Sequence, residues 1–361
     1  MLWANDKITI RQLQALIIIN IFGTGVIILP RLTAEHANQD GWILVILATI
    51  LACFCMFVIS SLGRCFPDKS FYEYTSILVS KPIALVLSLL FVIRLIFHMS
   101  LTLRIFLEIV GQSMLPTSPF WVTGLLLLMV SAYGASKGYE TRARLAEILI
   151  FIIFVPITLV FAVAAFNVDY SNILPIFDTP SPVLARGGLL TLSAFAGIEL
   201  VLMVNPYITN YKRVRSASIK AVVFLGIVMT LITVVTIARF GIYDINNQMW
   251  PVIQMMDTTN LPGAFVQNQG VLIMSFFIIS VFAIVNAGLF FSSLILKSIV
   301  KKGNHSWYVL FCMLLTFFAS LYPQNMVEVY IHSERVFLTF GLSFMVVVPT
   351  ILLIVAKGRR F

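Results

Sequence analysis

Between Leu13 and Pro30 the chain is apolar, and Gly23, Thr24 and Gly25 interrupt that run near its middle. Each glycine costs a helix about 1 kcal/mol relative to alanine, and bared backbone amides cost several more in hydrocarbon, so a membrane-crossing helix broken here demands a purpose. In multi-span membrane proteins the purpose is commonly a binding site, where unwound backbone near the bilayer midplane presents N–H and C=O groups to a small polar solute. Composition places the chain in the membrane. It is 60% hydrophobic and 11% charged, against roughly 25% charged for a soluble domain. Apolar runs reach bilayer length at about 13–30, 42–62, 83–111, 119–135, 145–166, 187–206, 221–240, 270–296, 307–322 and 336–356, which predicts an all-α polytopic protein of about ten transmembrane helices in one integral membrane domain, 1–361.

Lys and Arg are retained preferentially on the cytoplasmic side. Most of the 24 fall in six segments that share one side when the N-terminus is cytoplasmic: Lys7 and Arg11; Arg64, Lys69 and Lys81; Lys137, Arg142 and Arg144; Lys212, Arg213, Arg215 and Lys220; Lys297, Lys301 and Lys302; Lys357, Arg359 and Arg360. Both termini are therefore expected in the cytoplasm. The net charge of +9 is spread along segments that face anionic headgroups of the bilayer, and it needs no nucleic acid to explain it. The first apolar run is long, ends at Pro30 and lacks a small-residue cleavage site, so it is expected to remain in the mature protein. Cys53, Cys55, Cys65 and Cys312 show no C-x-x-C spacing and are expected as small packing residues, not a disulfide framework or zinc site.

Ten spans divide into five plus five. Span one reads IFGTGVIILP; span six reads SAFAGIELVLMVNP and ends at Pro206, with Phe195, Ala196 and Gly197 where the first has its break. Because five is odd, the second half would enter the membrane upside down, giving inverted repeats at about 8–166 and 185–357 with the broken helices one and six antiparallel and adjacent. Two long connections fall at matching places, after spans two and seven. Arg64 to Pro82 carries Phe71, Tyr72 and Tyr74, and Gly241 to Gln269 carries Trp250, Met255 and Met256, both suited to lying at an interface.

The outer half of span one, beginning near Val26, would aim free amides and a positive dipole end at the midplane, a seat for a carboxylate. The plainer reading is that these glycines permit close helix packing. Unwinding at Ala196 and Gly197 would free carbonyls for an ammonium or cation, beside Glu199. An acid at that depth costs about 2.5–3.5 kcal/mol on insertion scales, so Glu199 must face the bundle or a wet cavity; a structural hydrogen bond serves equally well. In span three, Arg94, His98, Arg104 and Glu108 share an arc of about 120° on a helix. Arg104 and Glu108 are spaced to pair locally, while His98 faces either a central cavity or a buried hydrogen bond. In span eight, Asn268, Ser275, Asn286 and Ser293 align within about 20°, suiting a site wall or interhelical hydrogen bonds. Enzyme signatures such as G-x-x-x-x-G-K-[ST], H-E-x-x-H and G-x-S-x-G are absent, so no enzyme, cofactor or metal cluster is expected.

Taken in order, these residues resemble the B subunit of spore germinant receptors, the GerAB or spore permease family. The resemblance rests on the GTG break with Pro30; Ala37, Asp40, Gly41 and Trp42; Phe66, Pro67 and Tyr74; Leu103, Arg104 and Glu108 leading to Leu115, Pro116, Thr117 and Pro119; Gly138, Glu140, Ala143, Arg144 and Glu147; and Gly197, Glu199 and Pro206 before Lys212 and Arg213. It implies the fold of the amino acid/polyamine/organocation transporters, a LeuT-like five-plus-five bundle. It also implies a place in the spore inner membrane beside a membrane-spanning A subunit and a C-subunit lipoprotein, and recognition of a small germinant, commonly an amino acid or sugar. The expected ligand contacts are Gly23, Thr24, Gly25, Phe195, Ala196 and Gly197, with Glu199, His98 and Asn286 as candidate walls. A receptor that triggers germination is one function; the alternative is an autonomous proton-coupled amino acid transporter. Span five lacks the mid-helix lysine that some proton-coupled relatives use.

Overall fold

The computed structural model describes residues 7–113, 115–259 and 269–359. Thr9 opens the first helix, α1 (Ile10–Ile21), through a reciprocal cap: its hydroxyl accepts from Gln12 N at 3.3 Å and Gln12 Oε1 accepts from Thr9 N at 2.9 Å. The helix stops where Phe22 turns extended and Gly23 follows, and α2 (Thr24–Ala37) resumes the span. A tight turn leads into α3 (Gly41–Cys65), and Ser70 with Glu73 caps the short α4 (Phe71–Leu78). Next come α5 (Lys81–Ser113), α6 (Phe120–Ser136) and α7 (Tyr139–Ala165).

Span six differs from its expected counterpart of span one. Its first half is α8 (Ser181–Thr191) and a tight turn to Phe195, but its second half, Ile198–Met203, winds as a 3-10 helix. Such a helix rises about 2.0 Å per residue instead of 1.5, so few residues cover the remaining depth. The chain continues through α9 (Tyr211–Asn247), kinked at Gly241, the short α10 (Pro251–Thr258), α11 (Gln269–Val300) and α12 (His305–Ser320). The tenth span runs from α13 (Met326–Val336) through two wide π turns into α14 (Val348–Gly358). Among the described residues, six helices are long and apolar enough to cross a membrane, and α1, α6 and α12 are shorter apolar rods beside them. Outward side chains such as Phe54, Phe151, Phe311 and Ile354 are exposed, as a hydrocarbon solvent requires.

Helix neighbours reveal the internal symmetry. Span two (α3) packs on span seven (α9), span three (α5) on span nine (α12), and span four (α6) on span eight (α11). Adding five to one partner and subtracting it from the other exchanges the last two pairs and leaves the first unchanged, as inverted repeats demand. Short α4 and α10 follow spans two and seven at the matching places; residues 260–268 of the second connection lie outside the described residues. The described ends of the chain meet on one face, where Lys7 pairs with Asp68 at 2.8 Å and Arg359 Nη1 donates to Ile77 O at 2.9 Å. At the opposite face the buried Asp40 carboxylate accepts from Phe177 N at 2.7 Å and Thr179 N at 2.9 Å, holding the connection between spans five and six against the α2–α3 turn.

Candidate ligand cavity between the broken helices

The two breaks touch. A Cβ placed on Gly25 would lie 3.6 Å from Ala194 Cα, and one on Gly197 would lie 3.1 Å from Asn20 O. Gly197 has φ +114°, a conformation that side-chain-bearing residues rarely adopt, and it lets span six turn immediately behind the end of α1. Glu199 holds that turn from within: its Oε2 accepts from Gly197 N at 2.8 Å. Its other oxygen lies 2.6 Å from Arg94 Nη2 on α5. Both side chains are sealed in the bundle, Arg94 at 1% exposure and Glu199 at 0%. A charge pair at this depth is retained only with close geometry, and removing one partner alone costs about 3–5 kcal/mol. Arg94 Nε and Nη1 have no hydrogen-bond partner among the described residues.

A second buried cation approaches from span five. Arg142 Nη2 donates to Asn20 Oδ1 at 2.7 Å, and its guanidinium lies 5.4 Å from the Phe291 ring centre. Charge counting assigns Arg142 to a cytoplasmic loop, but α7 begins at Tyr139 and carries Arg142 into the bundle. The counting rule sees only that the residue is basic and near a span end; the paired amide and aromatic faces that accept it are distant in sequence.

Above the breaks lies a cavity of about 440 Å³, walled by α2, α5, α8 and α13. Gly25, Asn20, Ser193, Ala194, Ala196, Arg94, His98 and Thr102 line its inner part; Arg31, Glu35, Tyr330 and Glu334 stand toward its mouth. Arg31 pairs with Glu35 at 2.8 Å, one helical turn along α2. The cavity mouth faces away from the side that holds the chain ends. On that other side the path is closed: Ile8 N donates to Tyr207 O at 2.6 Å, Thr209 Oγ1 donates to Ile8 O at 3.3 Å, and Tyr74 OH donates to Leu202 O at 3.2 Å. The segments flanking both broken helices are thereby stitched together.

The sequence-derived candidates divide. Gly25, Ala196 and His98 line the large cavity. Gly23 faces a separate apolar void of about 40 Å³ among Phe22, Val26, Phe161 and Phe277. A Cβ there would meet Ile284 Cδ1 at 2.0 Å. Thr24 opens α2 with its backbone. Phe195 is fully buried behind the wall, while Gly197 and Glu199 border a crevice of about 10 Å³ beneath it. Asn286 turns to α6, where its Nδ2 donates to Ser131 O at 2.9 Å. Ser293 bonds to Phe290 O and to the His305 ring, and Asn268 lies outside the described residues. Among the described residues, span eight contributes Ile284 to the large cavity. Arg104 and Glu108 do pair, at 2.8 Å. Asn20, Ser193, Thr102 and Tyr330 were not singled out from sequence; Asn20, polar in an apolar run one turn before the break, carries the clearest signal of the four.

This architecture is found in transporters. A Na+-coupled sialic acid symporter, solved in a substrate-bound outward-open state, superposes with a TM-score of 0.71 over 94% of this chain and 78% of that one, at 14% identity. MhsT, solved in complex with L-phenylalanine, gives 0.69 over 98% of both chains at 12% identity. These likenesses identify the LeuT fold. In sequence, the chain is 27% identical to spore germination protein YndE of Bacillus subtilis (strain 168) over 98% of each protein. It is 25% identical to spore germination protein KB of the same organism, over 98% of this chain and 95% of the relative. The spore permease family pattern, described as "Spore germination protein", matches residues 7–329. A match of that extent, on a chain with this fold and these paired breaks, places the protein in the spore permease family of spore germination proteins.

Proposed function

We propose that the protein is the germinant-sensing B subunit of a spore germination receptor, acting in the spore inner membrane with both termini cytoplasmic and with A and C subunits as partners. The observation that carries this reading is the cavity of about 440 Å³ at the crossing of the two breaks, open on one face and stitched shut on the other. It is a size suited to a small solute. Gly25 and Ala196 at the breaks, together with Ser193, His98 and Thr102, line this cavity and supply contacts for an amino acid or sugar. The bundle then signals by population shift: a germinant that binds one arrangement more tightly than another biases the equilibrium by that difference in affinity, and the bias passes to the A and C subunits. Each five-span repeat, about 8–166 and 185–357, contributes one of the broken helices to this site.

The test is a pocket-filling substitution in spores. Gly25→Leu projects a side chain from α2 against the span-six turn at Ala194, and it is expected to abolish germination by the cognate germinant while the subunit still accumulates in the membrane. An unchanged germinant response with normal subunit levels sinks the reading. The transporter fold of the structural neighbours favours a second reading, an autonomous proton-coupled amino acid transporter. Uptake of labelled amino acid by the chain alone in liposomes, driven by a pH gradient, would support it over sensing.

A further inference from the structure

Arg94 is the one cation whose side chain reaches the inner part of the cavity among the described residues, and it arrives there incompletely used. One nitrogen, Nη2, faces Glu199 at 2.6 Å. The other two, Nε and Nη1, are buried without a hydrogen-bond partner, although the residue lines the cavity wall. A buried guanidinium keeps unsatisfied N–H groups at a free-energy cost, so a structure that retains them invites an acceptor. No further carboxylate among the described residues that line the cavity is available for the purpose. Glu199 is already committed to Arg94 and to Gly197 N, Glu35 is committed to Arg31 near the mouth, and Glu334 is on the exposed part of α13. His98, one turn along α5, borders both the cavity and the crevice beneath it. The inner cavity therefore offers surplus donors next to a charge, and among the described residues its only carboxylate is the one that holds Arg94 in place.

We infer that Arg94 is an anion-recognition residue: the cavity takes small solutes bearing a carboxylate, whose oxygens accept from the free guanidinium nitrogens, and it selects against the same solutes in amide form. The inference rests on the sensing site proposed above. Charge-assisted hydrogen bonds from arginine to carboxylate are about twice as strong as neutral ones, which makes the acid–amide comparison a direct probe. Docking also couples the ligand to span six. A carboxylate drawn to Arg94 competes with Glu199 for the guanidinium, and Glu199 in turn anchors Gly197 at the break. Ligand arrival thus acts on the same ion pair that fixes the turn.

The test uses the full chain in lipid nanodiscs and direct calorimetric binding. Probes are L-alanine, L-valine, L-phenylalanine and gluconate, each beside its own carboxamide, with D-glucose as a neutral sugar. At least one acid is expected to bind, with its amide weaker by about tenfold or more; binding among the amino acids or by gluconate identifies the source of the carboxylate. Arg94→Gln alone strands the Glu199 charge and risks misfolding, so the Arg94→Gln/Glu199→Gln pair is the informative variant. It is expected to stay monodisperse and to lose about tenfold or more in affinity for the acid while no longer distinguishing acid from amide. An amide that binds within tenfold of its acid, or a double variant that keeps the distinction, overturns the role of Arg94 and leaves the sensing site standing. Binding of glucose with no acid bound does the same. Failure of every probe to bind overturns both.

Discussion

The two broken spans do the same job by different means. In span one the interruption is confined to Phe22 and Gly23, with α-helix on both sides. In span six the chain passes through a left-handed glycine, continues as a 3-10 helix, and depends on a buried carboxylate tied to both Gly197 N and Arg94. The first break is a local property of glycine. The second is a tertiary construction, because Ile198–Met203 contains residues that favour ordinary helix and must be held otherwise. The difference predicts that span six is the energetically sensitive partner, whose loss of a single group propagates through the site.

The largest effect should follow from uncoupling the ion pair. Glu199→Ala leaves Arg94 charged and buried without its partner, and it is expected to cost about 3–5 kcal/mol. The readout is thermal unfolding in detergent together with yield of monodisperse protein. The Arg94→Leu/Glu199→Leu double variant removes both charges and should recover much of that loss, since an apolar replacement of a buried pair is commonly tolerated. Equal damage from single and double variants would show that packing, not uncompensated charge, governs this turn.

Gly197→Ala comes next. At φ +114° an added Cβ is strained, and it also comes to 3.1 Å from the Asn20 carbonyl oxygen. The expected cost is about 1–3 kcal/mol, read as a lowered unfolding temperature. Retention of wild-type stability would mean that span six re-forms its turn without glycine, and the contrast with span one would vanish.

These effects mark how much was legible beforehand. The span-one break shows in the sequence because G-T-G weakens helix by itself, and the apolar run lengths give ten spans because the bilayer fixes their length. The presence of Glu199 signals a polar need at depth, but its partner Arg94 lies on another span, and sequence spacing along one helix pairs Arg104 with Glu108 only. Periodicity likewise aligns Asn286 and Ser293 on one polar stripe without revealing that these two turn to α6 and α12 and not to the cavity. Local rules thus supplied the rods and one break, whereas side-chain pairing between rods decided the second break and the site.

A smaller effect is expected where the N-terminal segment is tethered below span one. Lys7 and Asp68 pair at 2.8 Å with both side chains substantially open to solvent. Hydrogen bonding to Asp68 raises the Lys7 pKa above its ordinary 10.5. A raised lysine pKa means that the paired, protonated form is favoured by folding. The contribution is complete below about pH 10.5 and disappears as pH climbs through the raised value. Lys7→Ala is expected to change stability by no more than about 1 kcal/mol at neutral pH, with the difference from wild type shrinking at high salt and at strongly alkaline pH. A larger penalty at neutral pH would make this tether, rather than the backbone bonds at Ile8, the main hold on α1.

The smallest effect is the sharpest contrast with span six. Gly25 lies within α2, and a Cβ added there meets Ala194 at 3.6 Å, an ordinary contact. Alanine is a better helix former than glycine and restricts the unfolded chain, so Gly25→Ala should leave stability unchanged or raise it by up to about 1 kcal/mol. Unfolding midpoints of Gly25→Ala and Gly197→Ala, measured side by side, therefore move in different directions if the first break needs only Gly23. Destabilisation of Gly25→Ala comparable to that of Gly197→Ala would show that α2 must yield at its first turn as well, making the two breaks mechanical equals and removing the reason to look to span six for the moving part.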